Sequence, residues 1–268
     1  MKKYLVVFAA LFLIMGLAGQ AKAYFTTYPT GGDLIRVVYQ VQAGTVSGYE
    51  EATDLGSITS IESNPSLFSD SGYNLTTGNG TNNFNLSNGP LYVAYFAYTG
   101  HSNLQTSQLW TSGTAVSEQN LPSVWGVTVN AAGTIVAAYN TAASSGSSAN
   151  AWVQTSGSSY FKIFDGGSLQ TTGLFDGYIN TPGGESVLDP LNVAGNGSIT
   201  QATQYIFKWS PMKTSNSNNA GDFEIVTTLG TNGIITSQAE SIAPIPPSVL
   251  LFGSGLLGLI GVMRKKLI

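Results

Sequence analysis

The chain has 268 residues, with 10 Lys plus Arg, 14 Asp plus Glu, one His and no Cys, and its formal net charge is −4. Only 9% of the residues are charged, against about 25% in an ordinary soluble domain. This composition excludes a disulfide, a Cys-based metal site and the basic surface of a nucleic-acid-binding protein. Six of the ten basic residues lie near the chain ends: Lys2, Lys3, Lys22, Arg264, Lys265 and Lys266.

Residues 1–23 have the features of a secretory signal peptide. Two lysines follow the initial Met, residues 5–17 are uncharged and apolar, and small residues precede Tyr24. About 13 apolar residues span roughly 20 Å as a helix, less than the roughly 30 Å hydrocarbon core of a bilayer. The sequence therefore predicts cleavage by signal peptidase between Ala23 and Tyr24. An uncleaved N-terminal anchor is the alternative.

Residues 24–241 predict one all-β domain, an antiparallel sandwich with a jelly-roll-like arrangement. Residues 91–98 are apolar on both faces and indicate a central strand that is covered on both sides. A hairpin is expected across residues 127–139, and a second one is expected at the turn 231–233. No helical period is evident, and a division into two domains at residues 141–150 is the alternative. Alternation of apolar and polar residues with period two indicates further strands at 35–42, 205–209 and 223–225.

Residues 242–268 have three parts, and they predict a short transmembrane helix. A proline motif at 244–247 precedes an apolar stretch at 248–263 and a basic end at 264–268. The apolar stretch spans about 24 Å as a helix, a thin but possible crossing, and the cations that follow it favour the cytoplasmic side. A buried core helix is the alternative. The defining residues are Pro244, Ile245, Pro246 and Pro247, then Gly253, Gly255, Gly258 and Gly261, then Arg264, Lys265 and Lys266.

This three-part tail closely resembles the PEP-CTERM sorting signal over about the last 25 residues. Residues 252–259, with the sequence Phe-Gly-Ser-Gly-Leu-Leu-Gly-Leu, match that family's helix pattern. The motif Pro244-Ile245-Pro246 resembles the family's variant with a Pro-Leu-Pro core, because the usual Pro-Glu-Pro is missing. The resemblance implies a Gram-negative bacterium, a transient inner-membrane anchor and recognition by exosortase, a membrane-embedded cysteine transpeptidase or protease. It also implies cleavage near Pro246 and delivery to the cell surface or to an exopolysaccharide matrix.

The densest group of acidic residues in the body consists of Glu50, Glu51 and Asp54. Two carboxylates about 5–10 Å apart could hydrolyse a glycosidic bond, and carboxylates with carbonyl oxygens could bind Ca²⁺. Neighbouring acids on an edge strand are more often solvated, and they prevent pairing between molecules. His101, at a strand exit, could act as a general base, although an isolated His in a loop is more often an ordinary surface residue.

Aromatic residues suggest a second kind of site, since the chain has 13 Tyr and four Trp. Trp110, Trp125 and Trp152 could form a flat platform on which sugar rings stack, with Asn and Thr supplying hydrogen bonds. The alternative is that these side chains fill the core, as aromatic residues in strands commonly do. Trp209 alternates with Phe207 and is expected in the core.

The sequence therefore favours a non-enzymatic, exported surface or matrix protein that associates with exopolysaccharide in a biofilm. It indicates no catalytic residue, no metal, no cofactor and no nucleic-acid partner. A carbohydrate-binding module with an aromatic platform is the alternative, and a secreted glycoside hydrolase is less favoured. Without its two ends, the body keeps four basic and all 14 acidic residues, which gives a net charge of −10. That charge disfavours anionic partners further.

Overall fold

The computed structural model describes most of the body and leaves out the two chain ends. The described residues are 25, 32–42, 45–77, 83–100, 106–113, 117–118, 125–144, 149–164, 185–195, 197–210, 219–220 and 222–242. The predicted signal peptide, proline motif, transmembrane helix and basic end lie outside these ranges. Of the helices in the described part of the chain, none combines the length and the hydrophobicity needed to cross a bilayer.

Ten strands form a single curled antiparallel sheet that resembles half of a barrel. Two further short strands, β6 (Ser117–Glu118) and β10 (Asn219–Ala220), pair with each other. The strands of the large sheet are β1 (Asp33–Gln42), β2 (Thr45–Ser57), β3 (Tyr73–Asn74), β4 (Leu91–Thr99), β5 (Gln108–Gly113), β7 (Asn150–Gln154), β8 (Ser186–Leu188), β9 (Gln201–Trp209), β11 (Phe223–Leu229) and β12 (Ile234–Glu240).

The order of strands across the sheet is β3-β12-β11-β9-β5-β4-β1-β2-β7, and β8 pairs with β4. Along one edge of β4, residues 91–93 pair with β8 and residues 96–99 pair with β5. The helices are α1 (Ile58–Ser63), α2 (Trp125–Ser144) and α3 (Tyr160–Ile163), and a 3-10 turn covers Pro65–Leu67. The antiparallel, β-rich body is confirmed, but one curled sheet with a packed helix takes the place of the expected two stacked sheets.

The two larger hydrophobic cores lie on opposite faces of the sheet, because successive side chains of a strand point to opposite faces. Ile35 and Val37 of β1 pack with α2 and α3 in one cluster, which we call the helix-side core. Leu34 and Val38 of the same strand pack with β11 and β12 in the other cluster, the inner core. In the inner core, Arg36 of β1 donates a hydrogen bond to Ser237 of β12 at 2.8 Å. These strands are not neighbours in the sheet, so the contact shows that the sheet curls around this core.

The segment expected to form a hairpin at 127–139 is instead part of the 20-residue helix α2. Its six alanines favour a helix, whereas Gly126, Gly133 and the β-branched residues do not. Tertiary packing settles the outcome, because one face of α2 covers the helix-side core. The buried residues on this face follow a spacing of three and four: Val129, Ala132, Val136, Tyr139 and Ala143. The same helix occupies the start of 141–150, where a domain boundary was the alternative.

Other strand predictions are confirmed. The doubly apolar segment 91–98 lies within β4, a central strand, and most of its side chains are fully buried. The turn 231–233 joins β11 to β12 as a hairpin. Gly233 has φ of +80°, and an added Cβ would lie 2.6 Å from Cγ2 of Thr76. A side chain is therefore excluded at this position by both the backbone conformation and the close approach of Thr76.

Candidate functional site

Glu50 joins three elements on the helix-side face of the sheet. It belongs to β2 and is wholly buried. Its Oε1 accepts hydrogen bonds from the Tyr139 hydroxyl at 2.5 Å and from the Tyr160 backbone N–H at 2.7 Å, and Oε2 accepts one from the Phe161 N–H at 3.0 Å. Burial raises the pKa of Glu50 to about 7, although these three hydrogen bonds act in the opposite direction. The carboxyl group therefore fixes α2 and α3 against the sheet.

Glu51 lies on the opposite face and belongs to a buried polar cluster around Arg36. The Arg36 guanidinium forms an ion pair with Asp70 and donates to Thr53 Oγ1 at 3.1 Å. Thr53 in turn donates to Glu51 Oε1 at 2.7 Å, while Glu51 Oε2 has no hydrogen-bond partner in the described part of the chain. Burial raises the pKa of Glu51 to about 7, Arg36 and Thr53 oppose the shift, and Asp70 adds to it.

The polar cluster extends across the curl of the sheet. The Tyr95 hydroxyl shares hydrogen bonds with Thr227 Oγ1 at 2.5 Å and with Ser237 Oγ at 2.8 Å. Ser237 also accepts from Arg36. These groups therefore connect β1 and β4 to β11 and β12 inside the inner core, where each hydrogen bond satisfies a polar group that water does not reach.

Asp54 lies at the end of β2 that faces Asp33, and it is only partly buried. Its Oδ1 accepts a hydrogen bond from the Gly56 N–H at 2.7 Å. Burial raises the pKa of Asp54 to about 6, and the nearby charge of Asp33 adds to this effect, while the Gly56 hydrogen bond opposes it.

The expectation of solvated acids on an edge strand is wrong for Glu50 and Glu51. Strand β2 lies between β1 and β7, and both side chains are fully buried. They also point to opposite faces of the sheet, so they do not flank a common cleft as the two carboxylates of a glycosidase do. In the described ranges, no group of three or more His, Asp or Glu side chains is arranged to hold a metal ion.

The structure separates the three tryptophans expected to form a sugar-binding platform. Trp110 is fully buried in the inner core, with Lys208 Nζ 4.8 Å from its ring centroid. Trp152 is partly buried against the same core, whereas Trp125 packs against the helix-side core. Because the two cores lie on opposite faces of the sheet, these rings do not share a flat platform. Trp209 lies in the helix-side core, as expected.

The remaining residues singled out in the sequence lie outside the described part of the chain. They are His101, the cleavage-site residues Ala23 and Tyr24, and all the residues of the proline motif, apolar stretch and basic end. Phe25, directly after the predicted cleavage site, is described. Its ring is fully buried in the helix-side core, 5.6 Å from the Tyr139 ring.

A surface cavity of about 500 Å³ lies beside the turn between β11 and β12. It is lined by Thr76, residues 83–87, residues 190–191 and Thr231, and we call it the turn pocket. Its volume falls within the roughly 300–1,000 Å³ of small-molecule sites. Asn, Ser and Thr side chains alternate with aliphatic groups along its walls, and none of these described lining residues carries a charge.

Sequence reasoning identified neither the turn pocket nor the polar cluster around Arg36. The pocket residues belong to three segments that are distant in the chain, and each segment alone looks like an ordinary turn. Arg36 lies on the polar side of the period-two alternation at 35–42, and the polar side of such a strand ordinarily faces solvent. The available signal was the isolation of this cation, since no other Lys or Arg occurs between Tyr24 and residue 161.

Comparisons with known proteins do not assign the chain to a family. A scan against protein-family models found no match, and neither the curated proteins nor the solved structures yielded a similar protein.

Proposed function

We propose that this chain is an exported, non-enzymatic protein of the cell surface or extracellular matrix of a Gram-negative bacterium, sorted there by an exosortase. The observation that carries the proposal is the three-part C-terminal sequence at 244–247, 248–263 and 264–268. A basic end after a short apolar helix holds that end in the cytoplasm. The folded body then faces the outside.

Processing at both ends converts the precursor into the working protein. Signal peptidase removes residues 1–23, the apolar helix anchors the chain in the inner membrane, and exosortase cleaves near Pro246. The body, residues 24–241, is then released with the few residues that precede the cleavage site, and it reaches the surface or the exopolysaccharide matrix. Six of the ten basic residues and the long apolar runs of the precursor are lost in these steps.

Two features of the body support a non-enzymatic role. Glu50 and Glu51, the acids considered for glycoside hydrolysis, are buried on opposite faces of the sheet. Glu50 uses both oxygens to hold α3 and the Tyr139 hydroxyl. These are structural contacts, and they leave neither carboxyl group open to a substrate.

Intact-mass spectrometry of the protein released from the surface of an exosortase-bearing host tests the proposal. The mature protein is expected to begin at Tyr24 and to lack residues 264–268. Replacing Pro244, Pro246 and Pro247 together by Ala should leave the tail attached, whereas Pro122→Ala, outside the motif, should be processed normally. Surface-released protein that retains its basic end would overturn the proposal.

A further inference from the structure

The turn pocket has the chemistry of a site for a neutral polyhydroxylated ligand. Three of its polar groups make no hydrogen bond within the described part of the chain: Asn85 Nδ2, Ser87 Oγ and Thr231 Oγ1. An amide N–H donates, and a hydroxyl both donates and accepts. Sugar hydroxyl groups, which also do both, can pair with all three.

Aliphatic surface lies beside these polar groups. Leu191 lines the pocket and is 55% exposed, so its side chain is accessible to a ligand. Pro190 and Leu86 line the pocket as well. Apolar contacts beside a few directed hydrogen bonds are typical of small-molecule sites, and the C–H groups of a sugar ring match this pattern.

Hydrogen bonds fix the wall formed by residues 83–87. Gln40 Nε2 donates to the Asn85 carbonyl at 2.5 Å and to the Gly89 carbonyl at 3.0 Å. The Phe84 N–H donates to the Leu75 carbonyl at 2.9 Å, and the Phe84 ring packs on Trp152 with centroids 4.9 Å apart. This wall is therefore held by contacts with the sheet.

A second part of the lining, residues 190–191, is fixed by the buried side chain of Asp189. Its two carboxylate oxygens accept from the N–H groups of Val193 at 2.9 Å and of Ala194 at 2.8 Å. The Ser198 hydroxyl donates to the Pro190 carbonyl at 2.7 Å. With both walls held, little conformational entropy is lost when a ligand binds.

From this geometry we propose that the turn pocket binds a neutral glycan, such as a segment of an uncharged exopolysaccharide chain. The inference deepens the proposed function and rests on it for the source of the ligand. A phosphate, carboxylate or ammonium group in the pocket would meet no counter-charge among the described lining residues. The site is distinct from the tryptophan platform expected from the sequence.

Affinity electrophoresis of the full-length chain in detergent tests this proposal. Native gels would contain dextran, mannan or hydroxyethylcellulose as neutral probes, and alginate as an anionic probe. The native chain is expected to be retarded by at least one neutral polysaccharide and to migrate freely in alginate. Absence of retardation in all three neutral gels, or retardation by alginate alone, would overturn the proposal.

Two pairs of variants assign the binding to the pocket. Asn85→Asp keeps the oxygen that accepts from the Ser87 N–H at 3.0 Å but removes the free donor and adds a charge. Its control, Asn88→Asp, adds the same charge in the same turn outside the pocket lining. Leu191→Ser removes apolar surface from the pocket, and its control, Val193→Ser, changes an exposed side chain of the same loop.

The pocket variants should bind the retarding polysaccharide about tenfold more weakly, as expected for losing one hydrogen bond or one apolar contact. The controls should bind like the native chain, and all four variants should melt at the native temperature because the side chains are exposed. Equal losses in a variant and its control, or no loss in either pocket variant, would count against the pocket. If the tail is removed in the host but no polysaccharide retards the chain, only the pocket proposal is refuted. If a neutral polysaccharide retards the chain but the tail is retained, only the sorting proposal is refuted.

Discussion

Replacing Glu51 by Gln measures what a buried carboxyl group costs this fold near neutral pH. Gln has the shape of a protonated Glu, and its oxygen can keep the hydrogen bond from Thr53. The substitution removes the charge that would otherwise lie beside Asp70 in the inner core, with one oxygen unpartnered in the described part of the chain. E51Q should therefore stabilise the protein wherever the native Glu51 is ionised.

The magnitude follows from the shift of the Glu51 pKa from 4.5 to about 7. Between these values the folded protein holds a proton that the unfolded chain has released, so raising the pH destabilises the fold. The stability that the fold has while Glu51 is protonated is fully present below pH 4.5, and it is lost as the pH rises through 7. At about 1.4 kcal/mol for each tenfold change in the acid dissociation constant, this difference in pKa destabilises the fold by about 3 kcal/mol at pH 8.

Urea unfolding at pH 5 and pH 8, followed by Trp fluorescence, checks this value. E51Q should exceed the native free energy of unfolding by about 3 kcal/mol at pH 8 and by less than about 1 kcal/mol at pH 5. The control is Glu240→Gln, at an exposed position, which should change the free energy of unfolding by less than about 1 kcal/mol. A difference between E51Q and the native chain that is the same at both pH values would show that burial of Glu51 does not destabilise its charged form.

Three further substitutions probe the two cores. Arg36→Met leaves the Asp70 carboxylate buried without its ion pair and should cost about 3–5 kcal/mol of unfolding free energy. Phe25→Ala leaves a cavity beside Tyr139 and should also cost about 3–5 kcal/mol. Tyr139→Phe removes a hydrogen bond to Glu50 and should cost about 1.5–3 kcal/mol at pH 8, but less at pH 5, where that carboxyl group is protonated. Urea denaturation at both pH values measures all three.

Each of these predictions has an outcome that contradicts it. Lys208→Met is the control for Arg36→Met, because it breaks a partly exposed ion pair with Glu62 and should cost less than about 1 kcal/mol. If Arg36→Met cost no more than this, burial of the Arg36–Asp70 pair would not increase its effect on stability. A loss below about 1 kcal/mol for Phe25→Ala would mean that the start of the body is not part of the core. For Tyr139→Phe, an equal loss of unfolding free energy at pH 5 and pH 8 would refute the change of Glu50 from protonated to ionised between these pH values.

The strands could be predicted from the sequence where one local pattern was sufficient. Strands β11 and β12 lie on either side of a turn that contains Gly233, so their pairing as a hairpin follows from local sequence. Segment 91–98 has no polar face, and it lies in the middle of the sheet as a consequence. Helix α2 was missed because Val127 and Val129 suggest alternation, although the buried spacing of Val129, Ala132, Val136 and Tyr139 is helical.

The polar cluster around Arg36 and the turn pocket could not be predicted from local patterns, because they depend on the curl of the sheet. Arg36 and Ser237 are 201 positions apart in the chain and meet only because the sheet bends. Likewise, the turn pocket forms where residues 83–87, 190–191 and the hairpin turn at Thr231 converge. No spacing within one segment encodes such a convergence, so residue type alone could not distinguish the pocket's Asn85 from other exposed amides.

The location of the acids also changes the meaning of the body's net charge. The value of −10 counts every carboxyl group as ionised and exposed, yet Glu50, Glu51 and Asp189 are buried. Because the pKa of both Glu50 and Glu51 is raised to about 7, these two groups are largely protonated in a mildly acidic medium. The folded body is then both less charged and more stable than at pH 8. These two buried groups therefore link both the charge and the stability of the folded body to pH values near 7.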